Sequence, residues 1–215
     1  MRKRNFTLVE LLVVIGIIGI LAALVIPAVA ISKERGRITQ ARADMTSIRT
    51  AFEGLYKDYG RMAKKVDADK YELGSKSFSK SNGSITINEN KDDDGKPSAT
   101  YCNVIAELSV PSSITTPSLN KRRIKYLDPR PEYDPSKGPT QGNNQEHTWL
   151  DPWGNPYQMR INVDGTESIV DPSDSNKRVS GRVILWSLGP DGKSGSNDTD
   201  KDNIAGWKDG DWFDN

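Results

Sequence analysis

An uncharged apolar run from Leu11 to Ile31 is the feature that most limits how this chain can fold. As a helix it would be about 30 Å long, enough to cross the hydrocarbon core of a bilayer. Residues 2–4, Arg-Lys-Arg, stand before it. Because basic flanks stay on the cytoplasmic side, we expect the C-terminal bulk of the chain on the opposite side of the membrane.

A start of this kind has three interpretations, and Glu10 separates them. A cleaved secretory signal would end at the small-residue site Ala28-Val29-Ala30. A passive anchor would not be cut, and the leader of a filament subunit would be cut at the start of the apolar run, before Phe6. A carboxylate among apolar residues is costly in a membrane. The filament interpretation gives Glu10 a role, because it can neutralise the new Phe6 amine of a neighbouring subunit.

The same segment resembles a known family. Residues 6–15, FTLVELLVVI, are similar to the N-terminal methylation motif of type IV pilins and type II secretion pseudopilins, and Pro27 matches the proline in the same helix of these families. The resemblance implies that a prepilin peptidase cuts between Asn5 and Phe6 and that the Phe6 amine is then methylated. It also implies assembly roles for Glu10 and Pro27. The family usually has Gly before the cut, where this chain has Asn5.

An amphipathic helix is predicted to continue the apolar run. Apolar residues at alternating spacings of three and four form one face of a helix: Ile38, Ala41, Met45, Ile48, Phe52, Leu55 and Tyr59. Charged residues take the opposite face: Lys33, Arg35, Arg37, Arg42, Asp44, Arg49 and Glu53. With Gly60 as its C-cap, the helix would run from Phe6 to Tyr59 and be about 80 Å long. Three residues weaken its apolar half, so we expect local bending or melting there: Gly16, Gly19 and Pro27.

The rest of the chain predicts a small α+β domain. Most of residues 61–149 is interpreted as a long variable loop region, with a short strand at 84–87 and a short helix at 101–109. Two strands, at 157–163 and 182–186, are predicted to form an antiparallel hairpin with a long polar connection. A sheet packed against the long helix gives the α+β class.

Two C-terminal motifs extend the resemblance to both ends of the chain. Residues 151–157, DPWGNPY, and 186–192, WSLGPDG, resemble the major pseudopilins of type II secretion, the general secretion pathway protein G family. The resemblance implies a pilin-like fold, in which the apolar half of a long helix protrudes and spans the membrane while the other half packs on a small antiparallel sheet. The chain then has five parts: a leader (1–5), a transmembrane and filament-core helix (6–31), the amphipathic half of the helix (32–60), a variable loop region (61–149), and a β-hairpin with an acidic calcium loop (150–215).

The acidic loop after the second motif is a candidate calcium site. Alternating carboxylates at Asp198, Asp200 and Asp202 are typical of calcium loops, because Ca²⁺ prefers hard oxygen ligands. The resemblance implies one structural Ca²⁺, with Asp191 and Asp202 as side-chain ligands and Leu188 as a carbonyl ligand. The alternative is a solvated acidic loop without a metal.

Composition argues against most other functions. Thirty basic and 29 acidic residues nearly cancel, which disfavours nucleic-acid binding. One cysteine, Cys102, and one histidine, His147, exclude an internal disulfide, a zinc site built on several thiolates and a histidine metal cluster. No phosphate-binding G-x-x-x-x-G-K-[ST] loop is present and no carboxylate grouping indicates an acid–base pair, so we expect no enzyme. A second acidic cluster at 90–95 lacks the bidentate Glu of a calcium loop and is predicted to be an exposed turn.

The resemblance implies a structural subunit of a type II secretion pseudopilus, a helical homopolymer in the periplasm that drives protein export. It implies a single-pass start in the bacterial inner membrane with the C-terminal domain in the periplasm. The implied partners are minor pseudopilins, a prepilin peptidase and an inner-membrane assembly platform. Two alternatives stay open: a subunit of a type IV pilus-type surface fibre, and a secreted or membrane-anchored calcium-binding module.

Overall fold

A computed structural model gives the fold of the chain. The structure describes residues 8–74, 76–87, 99–109, 117–128, 149–193 and 203–207. Its contacts divide the chain into two compact units, Met1–Thr39 and Gln40–Asn215. The described part of the first unit is entirely helical, and the second unit holds all the described strands.

One helix, α1 (Leu8–Tyr59), contributes to both units and is 52 residues long. It continues without a break through the three residues predicted to weaken it: Gly16, Gly19 and Pro27. The prediction of local melting is therefore wrong, because an isolated Gly costs a helix about 1 kcal/mol and an isolated Pro about 3 kcal/mol, which the helical turns on both sides offset. Gly60 ends α1 with φ 67°, and its N–H donates to the Tyr56 carbonyl at 2.7 Å, which confirms the predicted C-cap.

A three-stranded antiparallel sheet lies in the region predicted to be a long loop. Its strands, in spatial order, are β1 (Lys64–Lys65), β2 (Lys70–Leu73) and β3 (Lys76–Ser79). The loop prediction is wrong here because these strands are short and mostly polar. Tyr71 and Leu73 are buried at alternate positions of β2, which is the period of a strand.

The main sheet is antiparallel and has four strands. In spatial order they are β4 (Ser84–Ile87), β5 (Gln158–Asn162), β8 (Val183–Ser187) and β9 (Ile204–Ala205). The predicted strand at 84–87 and the predicted hairpin of β5 with β8 are confirmed. The connection between β5 and β8 is not a plain loop, because it contains a second hairpin of β6 (Ser168–Val170) and β7 (Arg178–Ser180). Asp171 closes that hairpin by accepting the Ser173 N–H at 2.8 Å, an Asx-turn.

Helix and sheets share one core in the second unit, which confirms the α+β class. The predicted short helix is present as α2 (Ala99–Ser109). Five residues of the predicted apolar stripe of α1 are buried, with at most 1% of each side chain exposed: Ala41, Met45, Ile48, Phe52 and Leu55. The two residues at the ends of the stripe, Ile38 and Tyr59, are half-buried. Asp44, predicted on the charged face, is 5% exposed instead. The reason is a partner, since the Tyr157 hydroxyl donates to the Asp44 carboxylate at 2.8 Å and hydrogen bonding makes burial tolerable.

Candidate functional site

The N-terminal unit presents an apolar surface. The large apolar side chains that the structure describes between Leu8 and Ile31 are exposed, with 79% of Leu8 and 70% of Ile26 accessible. Contiguous apolar surface of this extent marks a contact with a membrane or with other proteins. An 18-residue window of α1 has a mean hydropathy of 3.0, so the helix is long and apolar enough to cross a membrane by length and composition.

Both predicted assembly residues, Glu10 and Pro27, belong to α1. Glu10 is exposed in the first turn of α1, where the helix dipole favours a carboxylate. Pro27 lies within α1. Asn5 and Phe6, the predicted cleavage and methylation sites, lie outside the described residues. Cleavage and methylation therefore stay predictions.

The two ends of the acidic loop meet at the edge of the main sheet. β8 and β9 pair antiparallel, with Ser187 opposite Ile204. Leu188 directly follows this pair and Asn203 directly precedes it, and each of these is 1% exposed. The chain therefore enters and leaves the loop at one buried point.

The predicted DPWGNP turn packs against the entrance of this loop. Asp151 Oδ1 accepts the N–H groups of Trp153 at 3.0 Å and of Asn155 at 2.7 Å, which closes the turn. Asp151 Oδ2 accepts the Ser187 hydroxyl at 2.5 Å, and Asn155 Nδ2 donates to the Gly189 carbonyl at 2.8 Å. The sequence signals the turn through its Asp, Gly, Asn and Pro residues. It carries no signal for the contact with the loop, so the roles of Asp151, Asn155 and Ser187 were missed.

Tyr101 fixes the chain just before this turn. Its hydroxyl donates to the Trp149 carbonyl, and its side chain is 0% exposed. Burial raises the pKa of Tyr101 well above its usual value, and the Asp151 charge acts in the same direction. The phenol therefore stays a neutral donor, and this link persists across the physiological range of pH.

Two of the five predicted calcium ligands, Leu188 and Asp191, lie among the described residues. Leu188 lies buried at the loop entrance, and Asp191 is exposed with its Oδ1 accepting the Lys193 N–H at 2.9 Å. The remaining predicted ligands lie outside the described residues: Asp198, Asp200 and Asp202. His147 and the cluster at 90–95 lie outside them as well. Within the described ranges no three His, Cys, Asp or Glu side chains come together as a metal site, so the ligand set stays a prediction.

Comparison with known proteins gives matches at the N-terminus and along the whole chain. Residues 1–26 match the model of the prokaryotic N-terminal methylation motif. The type II secretion system core protein G of Pseudomonas aeruginosa is 29% identical over 206 residues, which cover 96% of each chain. The protein of the same name from Pectobacterium carotovorum subsp. carotovorum is 26% identical, over 96% of this chain and 85% of its own length. No solved structure matches the chain.

Pilins of surface fibres match a shorter part. A fimbrial protein of Pseudomonas aeruginosa is 33% identical over 97 residues, which cover 42% of this chain and 62% of the relative. The matches to core protein G instead include both the methylation motif and the C-terminal region. The chain therefore carries the N-terminal methylation motif and is similar over nearly its whole length to proteins named type II secretion system core protein G.

Proposed function

We propose that this chain is a structural subunit of a type II secretion pseudopilus, which assembles through its N-terminal helix into a periplasmic filament that drives protein export. The observation that carries the proposal is the similarity, over 96% of the chain, to proteins named type II secretion system core protein G. The exposed apolar surface of α1 supports it, because that surface needs lipid or other copies of the helix around it. The role is structural and not enzymatic.

Before assembly the subunit spans the bacterial inner membrane once, with the second unit in the periplasm. Residues 11–31 supply the span and residues 2–4 the cytoplasmic flank. A prepilin peptidase cuts between Asn5 and Phe6, and the Phe6 amine is methylated. Further copies of the chain, minor pseudopilins and an inner-membrane assembly platform are its partners.

Glu10 directs assembly in this proposal. After cleavage its carboxylate pairs with the Phe6 amine of a neighbouring subunit, so that two charges in apolar surroundings neutralise each other. Breaking a buried pair by removing one partner is strongly destabilising, since the other charge is left uncompensated. Pro27, which cannot donate a backbone hydrogen bond, sets the local shape of the same helix.

Filament formation tests this function. The chain is produced with the assembly proteins of a type II secretion system, and sheared filaments are counted by electron microscopy. We expect filaments from the native chain, and none from Glu10→Gln although that variant still reaches the membrane. Glu34→Gln is the matched control, because Glu34 is also on α1 but pairs at 3.6 Å with Arg37 of the same helix. Filament formation by Glu10→Gln at the native level would refute the pairing role of Glu10. The absence of filaments from the native chain would refute the proposed function.

We also propose a structural Ca²⁺ in the acidic loop. Leu188 would contribute its carbonyl, and carboxylates would come from Asp191, Asp198, Asp200 and Asp202. These hard oxygen donors fit Ca²⁺, and the pairing of β8 with β9 supports the proposal by holding the ends of the loop together. When bound, the ion offsets the repulsion among the carboxylates and the entropy cost of ordering the loop.

Calcium linkage is measured as a change in thermal stability. With Ca²⁺ at about a hundred times its dissociation constant, the free energy of unfolding of the full chain in detergent micelles should be about 2.7 kcal/mol higher than in chelator. Asp202→Ala should lose most of this gain. Asp69→Ala is the control, since that exposed carboxylate pairs with Lys80 at 3.5 Å outside the loop. An unchanged melting temperature in the native chain would favour the solvated, metal-free loop.

A surface-fibre subunit is the second candidate, favoured by the match to the fimbrial protein. That match covers 42% of this chain, whereas the match to core protein G covers 96%. The cellular location of the filaments separates the two. Filaments confined to the periplasm at native expression support the pseudopilus, and filaments extending from the cell surface support the fibre.

A further inference from the structure

We propose that Asp151 and Asn155 are positioning residues that orient the entrance of the acidic loop for metal binding, acting through Ser187 and Gly189. This inference rests on the calcium site proposed above. It assigns a role to the DPWGNP turn, none of whose residues is a predicted calcium ligand.

The first link runs from Asp151 to the Leu188 carbonyl. Asp151 Oδ2 accepts the Ser187 hydroxyl at 2.5 Å, and Ser187 Oγ accepts the Gly189 N–H at 3.0 Å. The peptide bond between Leu188 and Gly189 is trans, because the described backbone contains no cis bond. The C=O and N–H of a trans peptide point in opposite directions. The Leu188 carbonyl therefore points away from the Asp151–Ser187 pair, and its direction depends on that pair.

The second link runs from Asn155 to the next peptide. Asn155 Nδ2 donates to the Gly189 carbonyl at 2.8 Å. The side chain also lies against Gly192, where an added Cβ would come 2.8 Å from Asn155 Oδ1. Gly192 has φ 66°, a conformation that favours glycine. Asn155 therefore constrains the loop on both sides of Asp191, the first predicted carboxylate ligand.

Both links start from one rigid and buried turn. Asp151 N–H donates to the Asn155 carbonyl at 2.8 Å, and Asn155 N–H donates back to Asp151 Oδ1 at 2.7 Å. Asp151 is 4% exposed, Asn155 5% and Ser187 0%. Water cannot easily replace a hydrogen bond at this depth, so losing one partner leaves a buried polar group unsatisfied. Partners that orient the ligands of a metal commonly control its affinity without touching it.

Calcium titration of the full chain in detergent micelles tests the inference. Ser187→Ala removes the hydroxyl that links Asp151 to Gly189, and Asn155→Ala removes the donor to the Gly189 carbonyl. Each variant should raise the dissociation constant for Ca²⁺ by about 10–100-fold. Ser109→Ala is the matched control, because that buried hydroxyl donates to the Ile105 carbonyl within α2 at 3.0 Å. The control should bind Ca²⁺ as the native chain does.

Terbium luminescence separates positioning from a loss of stability. Tb³⁺ replaces Ca²⁺ as the probe, and its lifetimes in H₂O and D₂O give the number of bound waters. In Ser187→Ala the bound ion should carry about one more water, which takes the place of the misdirected carbonyl. A change in stability alone would leave this number constant. If one variant fails to fold, the other is measured in the same way.

The outcomes distinguish this inference from the proposal on which it rests. If the native chain does not bind Ca²⁺, both the proposed calcium site and the positioning roles are refuted. Native binding that persists unchanged in Ser187→Ala and Asn155→Ala, with equal hydration of Tb³⁺, leaves the site intact and overturns the positioning roles. Weaker binding and higher hydration in the variants, but not in Ser109→Ala, are the results we expect.

Discussion

The Tyr157 hydroxyl donates to the Asp44 carboxylate at 2.8 Å, and the two residues stand 113 positions apart in the chain. Tyr157 is 0% exposed and Asp44 5%. The bond joins the residue just before β5 to the part of α1 that belongs to the second unit. It makes a buried carboxylate tolerable on the helix that carries the apolar stripe.

Tyr157→Phe should lower the free energy of unfolding by about 1.5–3 kcal/mol, because it removes a donor from a buried charged acceptor. Denaturant unfolding of the full chain in micelles measures this. Tyr71→Phe is the control, since Tyr71 is also buried but its hydroxyl makes no hydrogen bond among the described residues. Equal losses in the two variants would mean that the Asp44 bond does not contribute specifically.

Glu107→Gln should release the segment that follows α2. The Glu107 side chain is 0% exposed, and its carboxylate accepts the backbone N–H groups of Ser118 at 2.9 Å, of Leu119 at 2.6 Å and of Asn120. An amide offers one oxygen and would turn an NH₂ toward some of these donors. We expect a loss of about 1.5–3 kcal/mol in the free energy of unfolding.

Hydrogen exchange locates that effect. The amides of residues 118–120 should exchange faster in Glu107→Gln than in the native chain. Glu72→Gln is the comparison variant, because its pair with Lys64 at 3.2 Å is near the surface and worth at most about 1 kcal/mol. Unchanged protection of residues 118–120 would show that the Glu107 carboxylate does not hold the segment.

Alanine substitutions at two glycines distinguish the cost of backbone strain from the cost of a steric clash. Gly74 and Gly165 both have positive φ, 58° and 85°. A Cβ at Gly74 would lie 2.5 Å from the Asn103 carbonyl, whereas one at Gly165 would meet nothing within 4 Å. Gly165→Ala should cost about 1–2 kcal/mol from strain, and Gly74→Ala about 1–3 kcal/mol more, because α2 must shift. Thermal unfolding checks this order, and equal melting temperatures would contradict it.

The Tyr126 phenol should make stability fall at alkaline pH. Loss of solvent on burial raises the pKa of Tyr126 well above its usual value, and its hydrogen bond to the Asp58 carboxylate raises it further. A raised pKa in the folded state contributes stability below the unfolded pKa, about 10, which is lost as the pH rises further. The difference in unfolding free energy between the native chain and Tyr126→Phe should be constant from pH 7 to about pH 9 and then decrease. A difference that stays constant to about pH 11 would refute the shift.

Which features of the fold could be predicted from the sequence depends on how far apart the interacting residues are in the chain. The stripe from Ala41 to Leu55 is a local periodicity, so α1 and its buried face could be predicted. The burial of Asp44 could not, because its partner belongs to another element of the fold. The strands β1 to β3 were missed for a different reason, since their polar residues hide the alternation of Tyr71 and Leu73. The contact of Asp151 with the loop is likewise long-range, 36 positions from Ser187.

The N-terminal residue and intact mass of the chain from native membranes test the central claim most directly. The account predicts a mature chain that begins at N-methylated Phe6 and retains residues 6–31, because processing at that site creates the amine with which Glu10 pairs. A chain that begins at Ile31, after cleavage behind Ala30, would have lost the apolar helix and would contradict the filament role. An unprocessed chain that still begins at Met1 would contradict it as well.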